Sequence, residues 1–107
     1  MNILVVGCGT LGSNLCNKLS SLGHEISVIA GSHNEFSALS DDFTGYTTVG
    51  VAIDMDTLRA AGIENCDAVA AVTSDDNVNL MVVHIAKQFF GIDQAYARVT
   101  DPTKSEV

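Results

Sequence analysis

Short apolar runs alternate with amphipathic stretches along almost the whole chain. Residues 3–6 (ILVV) are apolar at every position, the pattern of a strand buried on both faces of a parallel sheet. In the stretch that follows, Leu11, Leu15, Leu19 and Leu22 recur at three- and four-residue spacing, and Gly23 stands where a helix ends. Residues 25–30 (EISVIA) predict a second strand, 33–43 a weaker helix holding Phe36 and Leu39, and 46–51 (YTTVGV) a β-branched third strand. Asp54 is a natural N-cap for a helix that turns Leu58 and Ala61 inward and stops at Gly62. Residues 67–73 (DAVAAVT) predict a fourth strand and 74–91 the longest helix, with Asp75 and Asp76 in its first turn and Gly91 at its end. Residues 94–100 predict a fifth strand, and Pro102 opens what reads as another helix.

Strand and helix in strict alternation imply parallel strands joined by right-handed crossovers. The expected fold is α/β, a Rossmann-like doubly wound parallel sheet in the order 3-2-1-4-5, truncated before a sixth strand. Residues 1–107 then form a single domain, expected to be part of a longer chain.

Composition narrows the function classes. A net charge of −8 opposes sequence-independent binding to nucleic acid and docking on an anionic membrane surface. No run of uncharged apolar residues is long enough to span a bilayer, and residues 1–7 enter a strand without a basic leader, so the expectation is a cytoplasmic protein. Cys8, Cys16 and Cys66 lack C-x-x-C spacing and read as reduced thiols packed as small apolar groups, with no metal site.

Gly7, Gly9 and Gly12 form G-x-G-x-x-G between the first strand and the first helix. Gly7 permits the turn, Gly9 lets a pyrophosphate approach the backbone, and Gly12 lets helix and strand pack closely. The helix N-terminus then offers free N–H groups to phosphate. The carboxylate that grips ribose normally stands about twenty residues on, at the end of the second strand. That position is Ala30, and Glu25 and Glu35 lie at the wrong ends of strand and loop. The loss should cost NAD about 1–3 kcal/mol. An NADP site is poorly supported, because no Lys or Arg occurs between Lys18 and Arg59, leaving Ser32 and His33.

Residues 3–29, the run 58–73 (L-x-x-A-G-I-x-x-x-D-A-V-x-A-V-T), the stretch NVNLM (77–81) and A-R-V-x-D-P (97–102) carry a more particular pattern. On these the chain resembles the nucleotide-binding N-terminal domain of the RCK, or TrkA-N, family of potassium channel and transporter regulators. The resemblance implies a regulatory, non-enzymatic subunit that senses NAD(H), ATP, ADP or AMP and gates potassium transport. It also implies a homodimer or higher ring, held at the inner face of the membrane through an integral-membrane potassium transporter or channel. The ligand contacts it implies are Gly7, Cys8, Gly9, Thr10, Leu11, Gly12, Ala30, Val51, Thr73 and Arg98. Ala30 and Val51 replace acids usual in the family, and Thr10 replaces an arginine found in relatives that sense the γ-phosphate. The expected site keeps its phosphate cradle and binds adenine nucleotides weakly.

Arg98 calls for an anionic partner, either a ligand phosphate or Asp75 or Asp101. Ser74 reads as the cap of the long helix, His84 as a core or interface histidine, and His24 as a surface residue. Few polar positions remain on residues 78–90, which fits burial or an oligomer contact. No catalytic constellation emerges. The rival readings are the cofactor half of an NAD(P)-dependent oxidoreductase and a degenerate scaffold with weak or no ligand.

Overall fold

The computed structural model describes residues 1–101, so the helix expected to open at Pro102 lies outside the described residues. Five parallel strands, β1 (Asn2–Val6), β2 (Glu25–Ala30), β3 (Tyr46–Val49), β4 (Ala68–Ala71) and β5 (Gln94–Ala97), form one sheet. Their order is β3-β2-β1-β4-β5, as the alternation of elements predicts. The connecting helices are α1 (Thr10–Ser21), α2 (Met55–Ala60) and α3 (Asp76–Phe90).

Period-two alternation sends successive residues of β1 to opposite layers. Leu4 and Val6 join Ile29, Leu58, Val69, Val82 and Ile85 in one apolar cluster, beneath α2 and α3. Ile3 and Val5 join Cys8, Cys16, Ile26, Val28 and Ala30 in the other, against which Leu15, Leu19 and Phe36 pack. Each fully buried aliphatic side chain contributes about 1.5–3 kcal/mol. The helices start and stop as their caps require. Asp54 accepts a hydrogen bond from Asp56 N at 2.8 Å, and Gly23, Gly62 and Gly91 all take positive φ after α1, α2 and α3.

Several local expectations are corrected. Residues 33–43 form only a 3₁₀ helix, His33–Ala38, whose one periodic pair, Phe36 and Leu39, is too little apolar surface for an α-helix. Leu11 on α1 and Leu22 just after it are exposed, whereas Gly12, Ser13 and Cys16 are buried, because small residues let this helix lie close to the sheet. Asp75 rather than Ser74 caps α3, accepting from Asn77 N at 2.9 Å and Val78 N at 3.3 Å. His84 is exposed, which excludes the core half of its core-or-interface reading, and His24 is half-buried. β5 ends at Ala97, so Arg98 falls just beyond it. The apolar excess on α3 is real: Met81 and Phe89 are 48 % and 66 % exposed.

Candidate functional site

The strands end in register. Val6 faces Ile29 across one ladder and Ala71 across the other, Ala30 faces Val49, and Ala71 faces Ala97. The ladder then runs one step further, with Gly7 N bonding Ile29 O at 2.8 Å, Gly50 N bonding Ala30 O at 3.0 Å and Arg98 N bonding Ala71 O at 2.8 Å. The segments leaving the carboxyl ends of the strands are thereby fixed side by side. Between them lies a cleft of about 420 Å³, the position where open α/β sheets take ligands.

Gly7, Ala30, Val51 and Thr73, all expected site residues, line this cleft. Gly7 has φ of 107°, and a Cβ there would lie 2.9 Å from Thr73 N, so only glycine lets the turn pass this close to the end of β4. A Cβ on Gly12 would run into the Gly7 carbonyl oxygen, which makes Gly12 a packing residue at the heart of the loop. Gly9 differs: a Cβ there meets no neighbour within 4 Å, leaving its face open. Gly9 caps α1 without a side chain, and its carbonyl accepts from Ser13 N at 2.8 Å. The amides of Thr10, Leu11 and Gly12 precede the first intrahelical bond and are the donors an anion would meet. Thr10 and Leu11 are exposed beside them.

Cys8 is buried under the loop, and burial, with the nearby Glu35 charge adding to it, raises its thiol pKa. It stays protonated and packs as a small apolar group. Val51 is 64 % exposed at the mouth, with Ala52 and Val78 half-buried beside it, an apolar wall suited to a planar ring.

Arg98 is exposed, one residue beyond the end of β5. Asp75, one of its two expected structural partners, is engaged as the α3 cap. Arg59, the other arginine, lies on α2 with its guanidinium 5.6 Å from the Phe90 ring centre.

Two residues missed by sequence reasoning organise this edge. The fully buried Asn79 accepts from Thr73 N at 2.9 Å and Thr73 Oγ1 at 2.7 Å, while its amide donates to the carbonyls of Thr73 at 3.0 Å and Arg98 at 2.9 Å. One side chain therefore locks the ends of β4 and β5 together. The buried carboxylate of Asp76 accepts from Thr100 N at 3.0 Å and Asp101 N at 2.9 Å, fixing the segment beyond β5. The signal was a polar side chain on the inward face of an apolar helix, which must find partners. The other correction concerns Glu35. Sequence reading places it at the wrong end of the loop after Ala30, yet it lines the same cleft.

A larger hollow of about 570 Å³ opens at the opposite, amino edge of the sheet, among Ser20, His24, Tyr46 and Cys66. It touches neither the glycine loop nor the helix N-terminus. Among the described residues no cluster of metal-ligating side chains occurs, and no helix is long and apolar enough to cross a membrane.

Comparison with known proteins adds the family. A Trk system potassium uptake protein TrkA from Streptomyces coelicolor is 41 % identical over 107 residues, covering 100 % of this chain and 48 % of that protein. The chain spans about half the length of the curated relatives it matches. The GsuK RCK domain superposes with a TM-score of 0.82 at 21 % identity, covering 98 % of this chain and 22 % of that one. The AMP-bound Kef C-terminal domain of Shewanella denitrificans does so at 0.80 and 22 %, covering 94 % and 60 %. At those identities the two structures speak for the fold alone. The TrkA-N domain profile matches residues 3–107, and the chain belongs to the TrkA-N domain family.

Proposed function

We propose that this domain is the nucleotide-sensing part of a potassium uptake regulator, binding an adenine nucleotide in the carboxyl-edge cleft. The observation that carries the reading is the cleft itself, where Gly7 of the glycine loop lies across from the apolar wall of Val51, Ala52 and Val78, with α1 beginning three residues after Gly7. Phosphate would meet the amides of residues 10–12, with Arg98 at the same edge, and the base would lie against the apolar wall. The AMP bound by the Kef relative and the names of the TrkA relatives favour the same assignment.

In this reading the domain is not an enzyme. It works at the inner face of the membrane beside an integral potassium transporter or channel, and it assembles as a homodimer or ring. The exposed Met81 and Phe89 of α3 and Tyr96 of the outer strand offer apolar contact surface for such an assembly. Of the expected contacts, Gly7, Ala30, Val51 and Thr73 would touch ligand within the cleft, and Gly9, Thr10, Leu11, Gly12 and Arg98 would surround the phosphates. Cys8 would act only by packing beneath the loop.

Titration calorimetry with AMP, ADP, ATP, NAD and NADH tests the reading. Binding of at least one of them, abolished by Gly9→Asp in a folded protein, is the expected result. Absence of binding by all five up to millimolar concentration would reject it.

A further inference from the structure

The cleft lacks a carboxylate where β2 ends, because Ala30 stands there, only 2 % exposed and packed with Cys8 and Val28. Yet the cleft wall beside Ala30 is not without charge. The 3₁₀ helix His33–Ala38 folds back over the same face of the sheet, anchored by Phe36, which packs into the cluster that contains Ala30. This return brings the carboxylate of Glu35 against the chain just past the strand. Glu35 Oε2 accepts from Ser32 N at 3.0 Å and lies 3.5 Å from where a Cβ on Gly31 would stand. Gly31 is the residue immediately after Ala30, and both line the cleft together with Glu35.

Resting on the nucleotide reading above, we infer that Glu35 is the specificity-determining residue of this cleft, taking the ribose hydroxyls that a carboxylate at position 30 would otherwise hold. The favoured ligand class is an adenine nucleotide whose ribose keeps both hydroxyls free.

Three physical points support the assignment. A carboxylate is an acceptor with several lone pairs, so holding Ser32 N leaves Glu35 capacity for a ribose diol. The bond to Ser32 N fixes the side chain before ligand arrives, which reduces the ordering cost of binding. Finally, Gly31 puts no side chain between the strand end and the carboxylate, whose Oε2 lies 3.5 Å from where a Cβ would stand, so Glu35 is not screened from the end of β2. A 2′-phosphate placed against Glu35 would be repelled, and no Lys or Arg lines the cleft to offset that repulsion. NADP is therefore disfavoured by an acid that the sequence places five residues beyond the usual position.

The test compares 5′-AMP with 2′,3′-dideoxy-AMP, and NAD with NADP, by calorimetry on the parent chain, Glu35→Ala and Glu35→Gln. The parent should bind AMP about tenfold or more tightly than the dideoxy analogue. Glu35→Ala should lose that factor for AMP and leave the dideoxy analogue unchanged. Glu35→Gln, which keeps an oxygen for Ser32 N, should lose part of it and narrow the preference for NAD over NADP. A folded Glu35→Ala protein that retains the AMP to dideoxy-AMP ratio overturns the inference, as does a parent that binds the two alike. Should Glu35→Ala not fold, Glu35→Gln and the parent's ratio decide. A parent that binds none of these nucleotides removes the nucleotide reading and this inference together, whereas AMP binding without any Glu35 dependence removes only the latter.

Discussion

Asn79 grips Thr73 three times, accepting from its backbone N–H and its hydroxyl and donating to its carbonyl. A fourth bond, to the Arg98 carbonyl, carries the grip across to the next strand. Thr73 and Arg98 are thereby positioned by a residue with no surface of its own. Substituting Asn79 by leucine would orphan the Thr73 amide and two carbonyls at the edge of the core. The expected loss is about 3 kcal/mol or more of stability, since three groups are orphaned and each buried unsatisfied group costs about 1–3 kcal/mol. Asn79→Asp keeps the acceptor for the Thr73 N–H but sets a second oxygen against the Thr73 and Arg98 carbonyls and buries a charge, so it should also destabilise. Denaturant melts of the three proteins rank them. Equal midpoints would show that the network is replaceable by packing.

The glycines of the loop separate into fold and ligand roles. Gly12→Ala should destabilise strongly, because its Cβ would displace the Gly7 carbonyl from the turn. Gly7→Asp should also unfold the loop, through both its φ of 107° and the nearness of the Thr73 backbone. Gly9→Ala has φ of −73° and free space, so it should melt close to the parent and lose nucleotide affinity alone. Circular-dichroism melts beside calorimetry resolve these patterns. A destabilised Gly9→Ala would mean that the open face is occupied in the native assembly.

The sheet order was legible because each βαβ unit announces itself: an all-apolar ILVV cannot face water on either side, and a capped amphipathic helix must cross over it. The roles of Asn79 and Asp76 were not. Sequence shows that NVNLM carries polar residues on an apolar helix, but not that Thr73, Arg98 and Thr100 come within reach, since those contacts depend on strands β4 and β5 lying side by side. The position of Glu35 beside the cleft was hidden for the same reason. Counting residues placed it at the far end of a loop, whereas a 3₁₀ turn anchored by Phe36 carries it back to the strand end.

Thiol burial sets an alkaline limit on stability. Cys16 is fully buried, and that burial pushes its pKa up from the ordinary 9.0 to about 12, with proximity to Cys8 adding to the effect. Between these values the unfolded chain releases a proton that the folded chain retains, so unfolding is favoured as pH rises. Stability should hold below pH 9 and then fall by up to about 1.4 kcal/mol per pH unit from this group, ending near pH 12. Cys16→Ala should be less stable at neutral pH, by about 1 kcal/mol for the small void, yet show a shallower alkaline decline. Urea midpoints measured from pH 7 to 11 on both proteins test this, and parallel curves would contradict it.

Ala30→Asp distinguishes a vacant ribose position from one already served by Glu35. From sequence alone, restoring the acid should recover about a decade of NAD affinity and little for NADP. The structure changes that expectation. Ala30 is buried among Val28, Ile3 and Cys8, and the Glu35 carboxylate lies at the adjoining Gly31. A new aspartate would lose hydration on one side and meet a like charge on the other, so the single variant should melt lower by about 1–2 kcal/mol and gain little for NAD. Removing the competitor reverses the outcome. In Glu35→Ala, which should bind NAD weakly, adding Ala30→Asp should restore about tenfold in affinity, because one carboxylate near the ribose is then present again. The informative quantity is the coupling between the two substitutions, read as NAD dissociation constants for all four proteins. Strictly additive effects, with Ala30→Asp improving NAD equally in both backgrounds, would show that Glu35 never served the ribose.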